Sequence, residues 1–318
     1  MIQVDLITGF LGAGKTTFLL RYARYLMAQG MKIGILVYDH GAVNVDLPLL
    51  KELRGENCEL EMLAGGCDPD CHKRRFRTKL IAMGMSGYDR VIIEPSGVFD
   101  MDEFFDTLNE APLDRWYEAG SVIAVVDALL DEQTGGEEDF FLASQALSAG
   151  CVLISKAQLA TEEQLRSTLR HLNRAAQQIH SPAIPESRIL CKPWDELTGE
   201  DFDRLMRCGY HMSDYVKTVA GGLSAFQSLS YLDLTITEAE LREKIAVLFR
   251  EEQYGRILRV KGFFPENGRW YQINATAKEI HVEQVPENRA VITVIGAGLQ
   301  EEPICILLTG KAPKLRML

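Results

Sequence analysis

The chain of 318 residues contains no apolar run near bilayer length, no low-complexity stretch and no internal repeat. A membrane-spanning helix needs about 20 consecutive apolar residues, and a solenoid or propeller needs a repeated unit, so both classes are excluded as readings. An apolar strand starting at residue 2 leaves no room for a secretory leader, and the expected location is the cytoplasm. Positive charge is scarce: 34 Lys and Arg stand against 45 Asp and Glu, a formal net charge of −11. That balance argues against nucleic acid and anionic membranes as partners and in favour of small ligands or proteins. The seven cysteines are an odd number without regular spacing, which predicts thiols, core residues or metal ligands rather than a disulfide framework. What remains is ordinary globular composition, 47% hydrophobic and 25% charged, in a chain long enough for two domains.

Against this background one string stands out. Gly9-Phe10-Leu11-Gly12-Ala13-Gly14-Lys15-Thr16 fits the phosphate-loop pattern G-x-x-x-x-G-K-[ST]. Val4-Asp5-Leu6-Ile7 before it reads as a buried strand, and Thr17 to Gln29 after it as a helix closed by Gly30. Glycines at 9, 12 and 14 let the backbone turn its N–H groups inward, forming an anion nest at a helix N-terminus. Gly12, Ala13, Gly14, Lys15, Thr16 and Thr17 are therefore the predicted phosphate-binding residues. Lys15 supplies mobile charge to the β- and γ-phosphates, and the Thr16 hydroxyl supplies a hard oxygen for Mg²⁺.

The rest of the first two-thirds alternates short apolar runs with amphipathic segments. Ile33 to Val37, Val91 to Ile93, Val122 to Val126, Val152 to Ile154 and Ile189-Leu190 suit strands buried on both faces. Between the last two, Thr161 and Gln164 form a capping box ahead of a helix with Leu165, Leu169, Leu172, Ala176 and Ile179 on one stripe. The predicted fold class is α/β: a doubly wound, mostly parallel-sheet P-loop NTPase domain over 1–215, followed by a smaller α+β domain over 223–318. In the latter, strands are expected over 226–234, 256–264, 269–275 and 290–295, with a helix capped by Thr237 and Glu240. Asp131 to Asp139 reads as an exposed acidic loop.

Tyr88 to Ile93 reads as a strand ending in Glu94, followed by Pro95-Ser96-Gly97. In a triphosphatase that order places a carboxylate near Mg²⁺ and a free N–H near the γ-phosphate. Asp127, at the end of another strand, is a weaker candidate that suits a turn cap.

These residues resemble the CobW-like branch of the metal-handling P-loop GTPases, relatives of HypB and UreG. The matching strings are Ile7 to Leu19, Glu94-Pro95-Ser96-Gly97, Val125-Val126-Asp127-Ala128, Arg259-Val260-Lys261-Gly262-Phe263 and Val294-Ile295-Gly296, so the resemblance runs nearly end to end. It implies nucleotide hydrolysis coupled to delivering a metal, or a metal-containing cofactor, to a client metalloprotein. It also implies roles in catalysis or Mg²⁺ binding for Lys15, Thr16, Asp46, Glu94 and Gly97.

Three departures from the family pattern matter. The switch I segment reads Tyr38-Asp39-His40-Gly41-Ala42 and lacks the family's two glutamates, although Asp39 can stand in for the first. A different metal or ligand set is one consequence, and Asp46 can still serve Mg²⁺ through water. At the base-reading N-K-x-D position stands Ser155-Lys156-Ala157-Gln158. Gln158 offers one carbonyl where a carboxylate would accept from both guanine N1–H and the exocyclic amine, so weaker discrimination is expected, with GTP first and ATP its rival.

The family's glycine-cysteine-x-cysteine-cysteine string is replaced by Gly65-Gly66-Cys67-Asp68-Pro69-Asp70-Cys71-His72. Asp68 suits an N-cap and Pro69 the first helical position, which puts Cys71 at the positive end of a helix dipole that favours thiolate. Cys67, Cys71 and His72 then offer two sulfurs and one nitrogen to a transition metal such as Zn²⁺. The alternatives are buried structural cysteines, or a homodimer in which two protomers build a four-thiolate zinc or iron–sulfur site. The basic run Lys73 to Lys79 reads as a solvated face. The other five cysteines and the isolated histidines, His171 among them, read as structural. Two rival functions stay open here: an ATP-dependent activator or reductase with a dimer-bridging cluster, and a nucleotide switch without hydrolysis.

Overall fold

The computed structural model describes residues 1–39, 50–64, 69–130, 136–212, 226–287 and 289–311. Residues 1–39, 50–63 and 69–212 make one compact unit; residues 226–287 and 289–311 belong to a second. The predicted domain limits at 215 and 223 fall outside the described residues.

Every apolar run read as a first-unit strand joins one seven-stranded sheet, whose order is β3-β2-β4-β1-β5-β6-β7. Its members are β1 (Ile2–Thr8), β2 (Ile33–Asp39), β3 (Cys58–Ala64), β4 (Arg90–Pro95), β5 (Tyr117–Asp127), β6 (Cys151–Ser155) and β7 (Ile189–Cys191). All neighbouring pairs from β2 to β7 run parallel. The described helical crossovers are α1 (Lys15–Ala28), α2 (Pro69–Gly84), α3 (Met101–Asn109), α4 (Gly136–Ser148) and α5 (Glu162–Gln178), and α6 (Gly199–Met206) follows the last strand. The capping box at Thr161 and Gln164 is present on α5. Its buried stripe includes Leu172 and Ala176, and also Thr168, His171 and Ala175. His171 Nε2 lies 2.7 Å from Asp139 Oδ1, both side chains buried. This bond also corrects the loop expected over 131–139: α4 begins at Gly136, and Glu138 and Asp139 are buried in it. Residues 131–135 are outside the described set. Among the described residues no helix is long and apolar enough to cross a membrane.

The amino-terminal part of this sheet is pinned by a buried polar cluster. Asp5 accepts from Arg90 Nη1 at 2.6 and 2.7 Å, from the Tyr22 hydroxyl at 2.7 Å and from the Ser121 N–H at 2.8 Å. Burial pushes the Asp5 carboxyl above the usual carboxylate range, while Arg90 and these donors pull it back.

The second unit is a five-stranded antiparallel sheet, β11-β10-β9-β12-β8, formed by β8 (Phe226–Leu232), β9 (Arg256–Glu266), β10 (Arg269–Ala275), β11 (Ile280–Val285) and β12 (Val291–Ala297). Helices α7 (Glu238–Arg250) and α8 (Glu301–Thr309) share a core with it that includes Leu241, Ile245, Val260, Ile273, Val294 and Ile304. Cross-strand register places Ser230, Thr293, Lys261 and Asn274 in one row across four strands.

Removing Asp5 leaves the Arg90 guanidinium and the Ser121 N–H without their acceptor in a dry site. Asp5→Ala is expected to destabilise the first unit by about 3–5 kcal/mol, read from urea denaturation. A loss under about 1 kcal/mol would show that water replaces the carboxylate.

Candidate functional site

In a doubly wound sheet, ligands bind outside the carboxyl ends of the strands. The carboxyl ends of β1, β4, β5, β6 and β7 here carry the glycine loop, Glu94, Asp127, Ser155 and Cys191 respectively. The loop turns sharply into α1 at Gly14, whose φ of +95° suits glycine. Lys15 is buried, and its Nζ donates back across the loop to Gly9 O at 2.9 Å and Phe10 O at 3.5 Å.

Thr16 Oγ1 donates to Glu94 Oε1 at 2.6 Å, so the first turn of α1 and the end of β4 meet through two of the predicted site residues. The Glu94 side chain is only 5% exposed. A hydroxyl and a carboxylate oxygen this close are hard donors of the kind Mg²⁺ takes, and the set fits that ion. Asp46, the third predicted member, lies outside the described residues.

Gly97 comes so near the loop that a Cβ there would meet Leu11 N at 2.5 Å and Leu11 Cα at 2.9 Å. Its carbonyl accepts from Gln145 Nε2 at 3.1 Å. Gln145 is 1% exposed on α4, and the sequence offered no signal for it, because a single amide in a helix of mixed composition matches no motif.

At the other end of the site, Ser155 is buried and Lys156 adopts φ of 53°. Lys156 Nζ pairs with Asp127 Oδ2 at 2.8 Å, and Asp127 Oδ1 accepts from the Leu129 N–H at 2.9 Å. Asp127 thus caps its turn, as expected, and also holds Lys156. Gln158 is exposed on the short turn Ala157–Leu159.

Trp194 was missed from sequence. Its Nε1 donates to Ile154 O at 3.1 Å, its ring lies 5.7 Å from Phe18, and Cη2 is 3.2 Å from where a Cβ on Gly14 would sit. A Pro-Trp pair two residues beyond the end of β7 was the available signal. Arg21 of α1 fastens this segment through Trp194 O at 3.1 Å and Asp195 at 2.6 Å.

Of the transition-metal candidates, Cys67 and the side chains of Cys71 and His72 lie outside the described residues. The backbone of residues 71 and 72 falls in the first turn of α2, which starts at Pro69 as its sequence predicted. Among the described residues, no group of three His, Cys, Asp or Glu side chains is disposed to hold a metal ion.

The basic run that follows is the expected solvated face apart from one ring: Arg74, Arg75 and Thr78 are exposed, and Lys73, Arg77 and Lys79 stay partly exposed. Phe76 is fully buried, Lys73 and Arg77 reach Glu110 beside α3 at 3.0 and 3.5 Å, and Lys79 reaches Glu61 of β3 at 2.7 Å. Of the cysteines read as structural, Cys58 and Cys151 are buried, Cys208 and Cys305 partly so, and Cys191 is exposed.

Parallel strands, a glycine loop closing on a helix, and a strand-end acid bonded to the loop threonine define a P-loop nucleotide-binding protein. The profile of the CobW/HypB/UreG nucleotide-binding domain matches residues 3–181, and the chain belongs to that family.

Among named relatives, it is 29% identical to the zinc chaperone YeiR of Escherichia coli K12 over 176 residues, covering 54% of this chain and 51% of that protein. It is 32% identical to the zinc chaperone YjiA of the same organism over 187 residues, covering 55% and 56%. The chain spans about half the length of these curated relatives. Among solved structures, the Zn(II)-bound YjiA GTPase of E. coli aligns over 98% of this chain and 99% of that one, with 21% identity and a TM-score of 0.38. The nickel complex of HypB from Helicobacter pylori aligns over 64% and 82%, with 17% identity and a TM-score of 0.41.

The contact at Gly97 yields a direct test. Gly97→Ala must displace either the loop at Leu11 or the turn held by Gln145, so nucleotide turnover should fall roughly a hundredfold while thermal unfolding stays near that of the parent. Phosphate release at the parent's rate would show that this contact does not constrain the site.

Proposed function

We propose that the chain is a metallochaperone that couples GTP hydrolysis to delivery of a transition metal such as zinc to a client metalloprotein. The observation that carries the proposal is the junction of Thr16, Glu94 and Gly97 against the glycine loop. In this reading the loop N–H groups and Lys15 hold the phosphates, with Lys15 exchanging its loop carbonyls for phosphate oxygens. Water attacks the γ-phosphorus, the bond to the bridging oxygen breaks, and nucleoside diphosphate and inorganic phosphate leave. Bound Mg²⁺ would neutralise charge on the phosphate oxygens from Thr16 and Glu94, with Asp46 acting through water. The Gly97 N–H reads the γ-phosphate.

Zinc enters as cargo. Support comes from two sulfurs and an imidazole, Cys67, Cys71 and His72, at the entry to α2, and from relatives that are themselves zinc chaperones. Two arms test the reading. Lys15→Ala should lower turnover about a hundredfold or more; unchanged turnover would remove Lys15 from the chemistry. Zn²⁺ should bind the parent and alter its turnover, and Cys67→Ser with Cys71→Ser should abolish both effects. Zinc binding and turnover that match the parent in the double variant would overturn the metal assignment.

Base choice follows from the Ser155 to Gln158 segment. Gln158 presents an amide where a carboxylate would accept two guanine donors, and Lys156 is already engaged by Asp127. Competition binding should therefore show a GTP preference over ATP that rises about tenfold or more in Gln158→Asp. A preference that does not move would place base recognition elsewhere.

A further inference from the structure

Three buried rings meet where three segments of the first unit converge. Tyr38 lies near the end of β2, in register with Pro95 of β4 and just ahead of the segment carrying Asp46. Phe76 is on α2, in the turn after Cys71 and His72. Phe99 is two residues beyond Gly97, and its N–H closes the turn onto Ser96 O at 3.2 Å. Exposure is 1% for Tyr38 and 0% for Phe76 and Phe99. Tyr38 stacks on Phe76 at 5.4 Å with an interplanar angle of 12°, and meets Phe99 edge-on at 5.6 Å and 84°. Phe76 and Phe99 close the triangle at 6.4 Å and 72°.

We infer that Tyr38, Phe76 and Phe99 are positioning residues that couple the Gly97 turn to helix α2, so that nucleotide bound at the loop changes the stability of α2. The inference rests on the nucleotide-switch reading above and adds to it the physical path to the helix that carries Cys71 and His72. A close-packed cluster of rings has no free volume in which to absorb a shift of one member. Movement of Phe99 with Gly97 must therefore displace Phe76, or Tyr38 and the segment that follows it.

The surroundings strengthen the coupling. Lys73 and Arg77 of α2 both grip Glu110, at the carboxyl-terminal end of α3, the helix that continues from the Gly97 turn. Glu103 of α3 faces the Tyr38 hydroxyl; burial, together with the Asp100 carboxylate, pushes the Glu103 carboxyl up to about 7, while Lys73 and Tyr38 pull it down. The three segments thus share one small cluster in which apolar and polar contacts agree.

The test is amide hydrogen exchange on the full chain, with and without a non-hydrolysable GTP analogue and Mg²⁺, in the absence of any transition metal. In the parent the analogue should slow exchange over 9–16 and, about tenfold or more, over 73–84. Phe76→Leu and Phe99→Leu should keep the analogue affinity within about threefold while the effect over 73–84 falls below about twofold. Phe76→Met, closer in volume, secures the comparison if either leucine variant fails to fold. A merely structural role would speed exchange equally with and without nucleotide, and that outcome overturns the inference. Protection confined to 9–16 in the parent, or variants that respond as the parent does, also overturns the coupling but leaves the nucleotide reading intact. No protection at 9–16 overturns both.

Discussion

The hydrogen bond from Thr16 to Glu94 depends on a feature of topology rather than of local sequence: β1 and β4 are neighbours, although more than 80 residues separate them. Register along the pair, Val4 beside Val91 and Leu6 beside Ile93, brings the helix that starts after the glycine loop next to the carboxylate that ends β4. A slip of one residue would turn Glu94 to the other face of the sheet. The Asp5 and Arg90 cluster opposes such a slip, because it joins the same two strands nearer their amino ends with buried, charge-assisted bonds. The two central strands are thus pinned toward their amino ends and carry Glu94 and the glycine loop at their carboxyl ends.

What the sequence made legible follows from how local the information was. The glycine loop, the strand ending at Glu94, the capping boxes at Thr161 and Thr237, and the helix start at Pro69 all depend on neighbours within a few residues, and all appear in place. Gln145, Trp194 and the ring cluster depend on which segments meet in space, and single-sequence reading has no access to that. The acidic stretch at 131–139 failed for a related reason. Glu138 and Asp139 look like solvent-seeking residues, yet Asp139 is buried because α5 brings His171 to it. The basic run at 73–79 is solvated as read, and Lys73 and Lys79 also find Glu110 and Glu61 there. Such partly exposed pairs contribute little stability each, about 0–1 kcal/mol, but they fix how α2 sits on its neighbours.

In the proposed reading, phosphate and base bind at opposite ends of the row formed by the carboxyl ends of the strands, and those two ends differ in burial. At the phosphate end, Lys15, Glu94 and the Gly97 contact are buried, so electrostatic interactions there are strong and small displacements matter. At the base end, Gln158 is exposed and Lys156 is only partly covered. Base recognition as proposed there would work in a wetter setting, where one amide discriminates less than a carboxylate. Trp194 changes this balance, because it packs on Phe18 of α1 and bonds Ile154 of β6. It ties the end of β6, just ahead of Ser155 to Gln158, to the helix whose first turn holds Lys15 and Thr16.

Under the proposed function, the cysteine and histidine motif needs a packed link to the nucleotide. The motif runs into the first turn of α2 at residues 71 and 72, and α2 contributes no residue to the phosphate loop. An ion held near Cys71 responds to phosphate only if the two sites bias a common element. Surface ion pairs to Glu110 are too weak and too screened to transmit several kcal/mol by themselves. A buried cluster in which Phe99 follows the Gly97 turn and Phe76 belongs to α2 has the required property, because displacing one ring costs packing energy throughout the cluster. Under the proposed function, the position of Phe76 on its helix therefore matters as much to metal handling as the identity of the proposed ligands one turn before it.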